Sequence, residues 1–260
     1  MMDVVELSGV EDRGMHFDIL TLFPEMFDSP FRESILKKAV EQNLVSIAVH
    51  NIRDYAPGKH RVTDDASYGG GGGMVMKPEP IFEAVEAILG EDPPSSVSIV
   101  LLSPQGRPFT QKIAWELVAY PRILLLCGRY EGVDERVRQF LTNDEISIGD
   151  YVLTGGEIPA MVLVDAVTRL IPGVLGDPGA VVRDSHAQGL LEHPQYTRPP
   201  VYRGYAVPRV LVSGDHGEIA LWRRREALRR TYQRRPDLLE EAQLTEEDLV
   251  FLQSLKQNSD

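Results

Sequence analysis

Cysteine is almost missing from this sequence: Cys127 is the only one. A single thiol excludes an internal disulfide and fits a reducing, cytoplasmic setting. Cys127 ends an apolar run, which favours a buried structural thiol over a nucleophile. No His/Cys cluster has the spacing of a zinc site. No apolar stretch approaches the roughly 20 residues of a membrane-spanning helix, so no membrane association is expected. The run Gly69 to Gly73 lacks the Lys-Ser/Thr that would follow in a phosphate-binding P-loop. Residues 1–14 lack the basic start and apolar stretch of a signal peptide; with Met15 directly before a strand pattern, they are read as an extension. Positive charge is also short. The net charge of −12 argues against indiscriminate coating of nucleic acid.

What the sequence does have is glycine at the ends of apolar runs. Leu125-Leu126-Cys127 stops at Gly128-Arg129-Tyr130-Glu131-Gly132, and Ser147-Ile148-Gly149 is followed by Leu153-Thr154-Gly155-Gly156. Apolar runs bounded by glycine read as buried strands. Glycine admits a ligand close to backbone amides and carbonyls, because no Cβ intervenes. Such turns suit a flat, polar-edged ligand such as an adenine nucleoside. The same turns also serve merely to close a compact sheet.

At 260 residues, 43% hydrophobic and 25% charged, the chain is long enough for one large or two modest globular domains. Strand patterns at 16–23, 45–49, 97–102, 122–127 and 146–148 alternate with helical ones. Pro78 and Pro80 open a helix that Gly90 closes. Val133, Val137, Phe140 and Leu141 predict another, and residues 158–171 a mostly apolar one. Alternation of this kind predicts an α/β fold with a parallel sheet covered on both faces. Ligands in such sheets bind beyond the carboxyl ends of the strands. The glycine turns and Ser103-Pro104-Gln105-Gly106 fall at those ends.

The pattern changes after Pro172. Residues 176–184 are expected to form a flexible linker between a first domain, 15–175, and a small helical domain, 185–260. In the latter, Trp222-Arg223-Arg224-Arg225 and Arg229-Arg230 to Arg234-Arg235 crowd one helix. Either those arginines pair with the acidic stretch 237–248, or they form a face for RNA phosphates.

Several ordered motifs carry a resemblance to one family. They are Asp18-Ile19-Leu20-Thr21-Leu22-Phe23-Pro24, Asp64-Asp65-Ala66-Ser67-Tyr68 with the glycine run to Met74, and Leu102-Ser103-Pro104-Gln105-Gly106. Gly128-Arg129-Tyr130-Glu131-Gly132, Ser147-Ile148-Gly149-Asp150-Tyr151, Asp165-Ala166-Val167-Thr168-Arg169, Asp184-Ser185 and Pro194-Gln195-Tyr196-Thr197-Arg198-Pro199 complete the set. From Met15 to about Leu255 the chain resembles the TrmD family, bacterial tRNA (guanine-N1)-methyltransferases of the SPOUT class. Thr63, Ala66-Ser67 and the unbroken glycine run depart from the family's usual residues.

The resemblance implies a deep trefoil knot in the parallel-sheet domain, a homodimer with shared active sites, and a magnesium requirement. It implies methyl transfer from S-adenosyl-L-methionine to N1 of the guanosine at position 37 of tRNA. Asp184 matches the family's general base and Arg169 its charge-stabilising arginine. Without the resemblance, Asp184 would read as a loop carboxylate capping a following helix, itself or through Ser185. The cofactor pocket would use Leu102, Ser103, Pro104, Gly128, Tyr130, Glu131, Ser147, Ile148, Gly149, Tyr151, Leu153, Gly155, Gly156 and Pro159. Glu131 either helps place magnesium or an arginine, or forms a surface ion pair; the residues give no metal site. Lys59, His60, Arg61, Tyr196 and Arg198 join the arginine-rich helix as the expected tRNA contacts. Two rivals remain: a SPOUT enzyme with another target nucleotide, and a non-catalytic RNA-binding module.

Overall fold

The computed structural model describes residues 14–90, 94–177 and 179–257. Of the expected extension 1–14, only Gly14 lies among the described residues. The chain forms two compact units, Met1–Gly176 and Asp177–Asp260.

The first unit is built on strands β1 (Met15–Thr21) and β2 (Val45–Asn51), joined through helix α1 (Ser34–Glu41). A small antiparallel pair, β3 (Asp64–Asp65) and β4 (Val75–Met76), brackets the glycine run. Next come α2 (Pro78–Leu89), β5 (Val97–Pro108), α3 (Gln111–Val118), β6 (Arg122–Cys127), α4 (Glu135–Phe140), β7 (Asp144–Ser147) and α5 (Glu157–Thr168). The large strands make one parallel sheet in the order β2-β1-β6-β5-β7.

The central strands β1 and β6 and the first half of β5 are mostly apolar because the sheet is buried on both faces there, unlike the edge strands β2 and β7. Leu20, Leu101, Leu124 and Leu126 pack with Ile81, Val85 and Val137 of α2 and α4. On the other side α5 meets β1 and β6, with α1 and α3 beside it. Helix α2 keeps the predicted limits: proline fills its first turn, where an N–H would lack a partner, and Gly90 caps it at φ +56°.

One expected helix is shorter than its pattern, and one expected turn needs correction. The pattern from Val133 to Leu141 yields α4 only from Glu135, with Phe140 at its end 74% exposed. Helix α4 has only six residues, and its inner side is taken by Val137. Residues 103–106 were read as a turn after a strand that ended at Leu102. They form instead a bulge inside β5: Leu102 and Arg107 both stand opposite Ile146 of β7, and the intervening residues arch away.

The second unit holds a one-turn helix, α6 (Ala180–Arg183), a short hairpin of β8 (Val201–Tyr202) and β9 (Tyr205–Ala206), and helices α7 (His216–Arg234) and α8 (Glu246–Gln257). Asp215 caps α7 by accepting the N–H groups of Gly217 and Glu218. Its small core joins Leu190, Leu228 and Leu252. Among the described residues, no helix is long and apolar enough to cross a membrane.

Candidate active site

The middle of β5 and the carboxyl ends of β6 and β7 surround a cavity of about 200 Å³. Its walls come from the β5 bulge, the turn after β6, and the long connection from β7 to α5. Every residue assigned to the cofactor pocket, from Leu102 to Pro159, lines this one cavity, Glu131 among them.

Main-chain contacts set its shape. Gly132 N–H donates to the Arg129 carbonyl at 3.0 Å, closing the turn after β6. Tyr130 holds φ +59° in that turn, a conformation that is unfavourable for a bulky side chain and recurs at functional sites. Gly156 N–H donates to the Gly128 carbonyl at 3.0 Å, tying the β7–α5 connection to the β6 turn. A Cβ on Gly156 would stand 2.6 Å from Cys127 Cα, so no other residue fits there without backbone movement. Gly149 lies at φ +153°, and a Cβ there would strike the Tyr151 ring at 2.5 Å. The Tyr151 hydroxyl donates to the Ile148 carbonyl at 3.1 Å, folding that ring back over the turn.

Beneath this wall lies a polar group that sequence reasoning missed. Glu157, the first residue of α5, is only 1% exposed. Its Oε1 accepts from the Thr21 hydroxyl at 2.7 Å and from Arg129 Nε at 3.1 Å. Its Oε2 pairs with Arg129 Nη2 at 2.9 Å. Cys127, next to this pair, is fully buried; burial first, then the Glu157 charge, push its thiol well above the ordinary value. That fits an inert structural thiol. The signal for Glu157 was present as a charged residue opening a mostly apolar helix, but its Thr21 partner is 136 residues away.

Glu131 stands against the glycine run: its N–H donates to the Met74 carbonyl at 3.0 Å and its side chain abuts Gly73. Arg169 is the C-cap residue of α5, in the first unit. Asp184 is in the second unit, half-buried. It follows α6 as its C-cap, with its N–H on the Ala180 carbonyl, and does not open a helix as its local sequence had allowed. Neither Arg169 nor Asp184 is among the cavity-lining residues. Among the described residues, no group of three His, Cys, Asp or Glu side chains is placed to hold a metal ion.

Residues 15–241 match the family model for tRNA (guanine-1)-methyltransferase TrmD. The chain belongs to the TrmD family. It is similar to the tRNA (guanine-N(1)-)-methyltransferase of Dehalococcoides mccartyi, at 59% identity over 90% of this chain and 94% of the relative. The enzyme of that name from Dictyoglomus turgidum is 57% identical over 93% of this chain and 97% of its own length. The one from Geobacter sulfurreducens is 56% identical over 95% and 100%. Agreement of this extent spans both compact units of the TrmD-family chain.

The expected RNA contacts divide. On α7, Arg223 and Arg225 are exposed, whereas Arg224 turns inward to pair with the buried Asp248 at 2.7 Å and to donate to the Gln243 carbonyl. Arg229 pairs with Glu226, and Arg235 with Asp237. Tyr196 lies against Trp222, ring centroids 6.3 Å apart. Lys59 and His60 are exposed in the first unit, and Arg61 pairs with Asp54 at 2.6 Å. The run thus divides: Arg224 and Arg235 pair with the acidic stretch, while Arg223 and Arg225 face solvent.

Proposed function

We propose that this chain transfers a methyl group from S-adenosyl-L-methionine to N1 of the guanosine at position 37 of tRNA, immediately 3′ of the anticodon. The carrying observation is the main-chain cavity at the strand ends, in a chain whose relatives are named for guanine-N1 transfer to tRNA. The cavity fits the donor's nucleoside. Gly128, Gly149, Gly155 and Gly156 expose backbone groups, while Leu102, Ile148, Leu153 and Pro159 offer apolar surface to a flat ring. When bound, the donor supplies a sulfonium methyl already open to attack, so the protein needs no covalent intermediate.

The protein's work is on the other reactant. Guanine N1 holds a proton at neutral pH and becomes a good nucleophile only as that proton leaves. Asp184 takes that proton as general base. Arg169 stabilises the negative charge that grows on O6, a role that contributes a few kcal/mol in comparable sites. Asp184 is brought to the target base when tRNA arrives, so the site is completed by the substrate. Exposed Arg223, Arg225, Lys59 and His60, with Tyr196, contact the tRNA. A magnesium ion would be held largely by RNA and water oxygens with one or two carboxylates, the usual habit of that ion.

Two further parts of the reading concern architecture. The return of the chain from edge strand β7 across β5 to pack α5 on β6 and β1 supports a SPOUT trefoil knot in residues 15–175. A second copy completes each site. Helix α5 is apolar on its exposed side too, at Ile158 and Val162, and a helix apolar all round belongs in an interior. The cytoplasm is the expected location, where the tRNA substrate is found.

Asp184→Asn tests the chemistry. It should lower methyl transfer by about 10²–10⁴-fold, while calorimetry shows S-adenosylhomocysteine bound as in the unaltered protein. Full turnover by this variant would remove Asp184 from the role.

A further inference from the structure

We propose that Glu157 and Arg129 are positioning residues of the donor cavity, a buried ion pair that fixes the Thr154 carbonyl and holds the two glycine turns at their ligand-binding spacing. The proposal rests on the reading of the cavity as the S-adenosylmethionine site.

The argument starts from the connection between β7 and α5. No helix or strand orders residues 148–156, yet Ile148, Gly149, Tyr151, Leu153, Gly155 and Gly156 all line the cavity. A loop of that kind keeps its shape only where specific contacts pin it. One pin is the Gly156 N–H on the Gly128 carbonyl. A second is Arg129, whose Nη1 donates to the Thr154 carbonyl at 3.1 Å, between cavity residues Leu153 and Gly155.

Arg129 is itself held from every side. Its Nε donates to Glu157 Oε1, and Nη2 lies 2.9 Å from Oε2 as an ion pair without hydrogen-bond geometry, so one planar guanidinium links Glu157 to the Thr154 carbonyl. Its guanidinium lies 4.4 Å from the centre of the Phe23 ring. Its backbone N–H points at Met76 Sδ, 3.2 Å away. Thr21 fixes the remaining freedom of Glu157 through its hydroxyl. The end of β1, strand β4, the β6 turn and the start of α5 therefore converge on one cation. Glu157 does not line the cavity; it acts through Arg129.

Stability alone does not account for this arrangement. A well-packed apolar pair of the same volume is often as stable as a buried ion pair, or more so. An apolar pair cannot aim a donor at Thr154. Glu157 also sits in the first turn of α5, where an acidic side chain suits the helix dipole.

The test is calorimetric titration of S-adenosylhomocysteine into folded Glu157→Gln and Arg129→Lys, below their melting temperatures. The amide keeps the size of Glu157 but not its charge; lysine keeps the charge of Arg129 but not the fork. Both variants should bind at least about tenfold more weakly, the effect of losing a charge-assisted hydrogen bond. In turnover, the KM for the methyl donor should rise while the KM for tRNA stays within about twofold of the unaltered protein. Unchanged affinity in both folded variants overturns the proposal, because a merely structural pair would lower the melting temperature without touching the ligand. Should Glu157→Gln not fold, Arg129→Lys decides alone. Failure of the unaltered protein to bind S-adenosylhomocysteine would instead overturn the reading of the cavity.

Discussion

The two compact units use charge in opposite ways. In the first, the best-placed charges are inside: Glu157 with Arg129, and Asp18 with His16, His50 and Arg122. In the second, Arg223, Arg225 and Arg234 stand in solvent on α7, while Arg224 is drawn inward to Asp248 and Arg230 to the Glu192 carbonyl. The difference follows from the ligands proposed for each. A small nucleoside needs a wall with fixed dimensions, and buried ion pairs with a single geometry provide one. A polyanion needs charge in reach of water, where counterions can be released. The lesson is that an arginine's sequence neighbours do not reveal its use; its nearest carboxylate does.

The comparison breaks most visibly at Asp18. Its carboxyl is 1% exposed in the middle of β1. His50 Nε2 lies 2.7 Å away, His16 3.2 Å, and Arg122 Nε donates at 2.8 Å. Burial by itself would raise its pKa, but these hydrogen bonds together outweigh burial and hold the carboxyl well below the usual carboxylate range. Asp18→Asn should therefore lower unfolding free energy by about 3 kcal/mol, because it removes the buried carboxylate that Arg122, His16 and His50 share. Urea unfolding measures this. The pH dependence has a definite sign. A depressed folded pKa stabilises fully above the unfolded value of about 3.9, and that stability is lost as pH falls toward the folded one. The variant should show a flatter loss of stability in acid. A variant as stable as the parent at neutral pH would mean that the buried cluster is not structural.

A smaller effect separates the arginines of α7. Arg224→Ala should destabilise the second unit by about 2–3 kcal/mol, since it leaves Asp248 buried without its cation. Arg223→Ala should change stability by no more than about 0.5 kcal/mol. It should instead weaken tRNA binding and reduce the salt slope of that binding by about one. Filter binding over a range of salt concentrations, beside thermal melts, sharpens the contrast. Equal behaviour of the two variants would erase the distinction between inward and outward arginines.

Much of the first unit was legible because local rules and tertiary structure agree there. Proline and glycine bound α2, β6 coincides with its apolar run, and glycine turns at strand ends gather round one cavity. Legibility failed where the partner is remote or the element short. Glu157 takes its meaning from Thr21 and Arg129, which no local pattern connects. The β5 bulge is defined by Ile146 across the sheet, not by its own residues. Asp184 looked like a start signal, yet the turn that matters precedes it. Its role and that of Arg169 came from family resemblance and not from physical pattern, because neither is among the residues that line the cavity.

The most direct test of the account is the identity of the product. The protein would be incubated with methyl-labelled S-adenosylmethionine and unmodified tRNA transcripts carrying guanosine or adenosine at position 37, followed by nuclease digestion and nucleoside analysis. The account predicts labelled 1-methylguanosine from the first transcript and no label in the second. Label on any other atom or nucleoside, or transfer to the adenosine transcript, would contradict it.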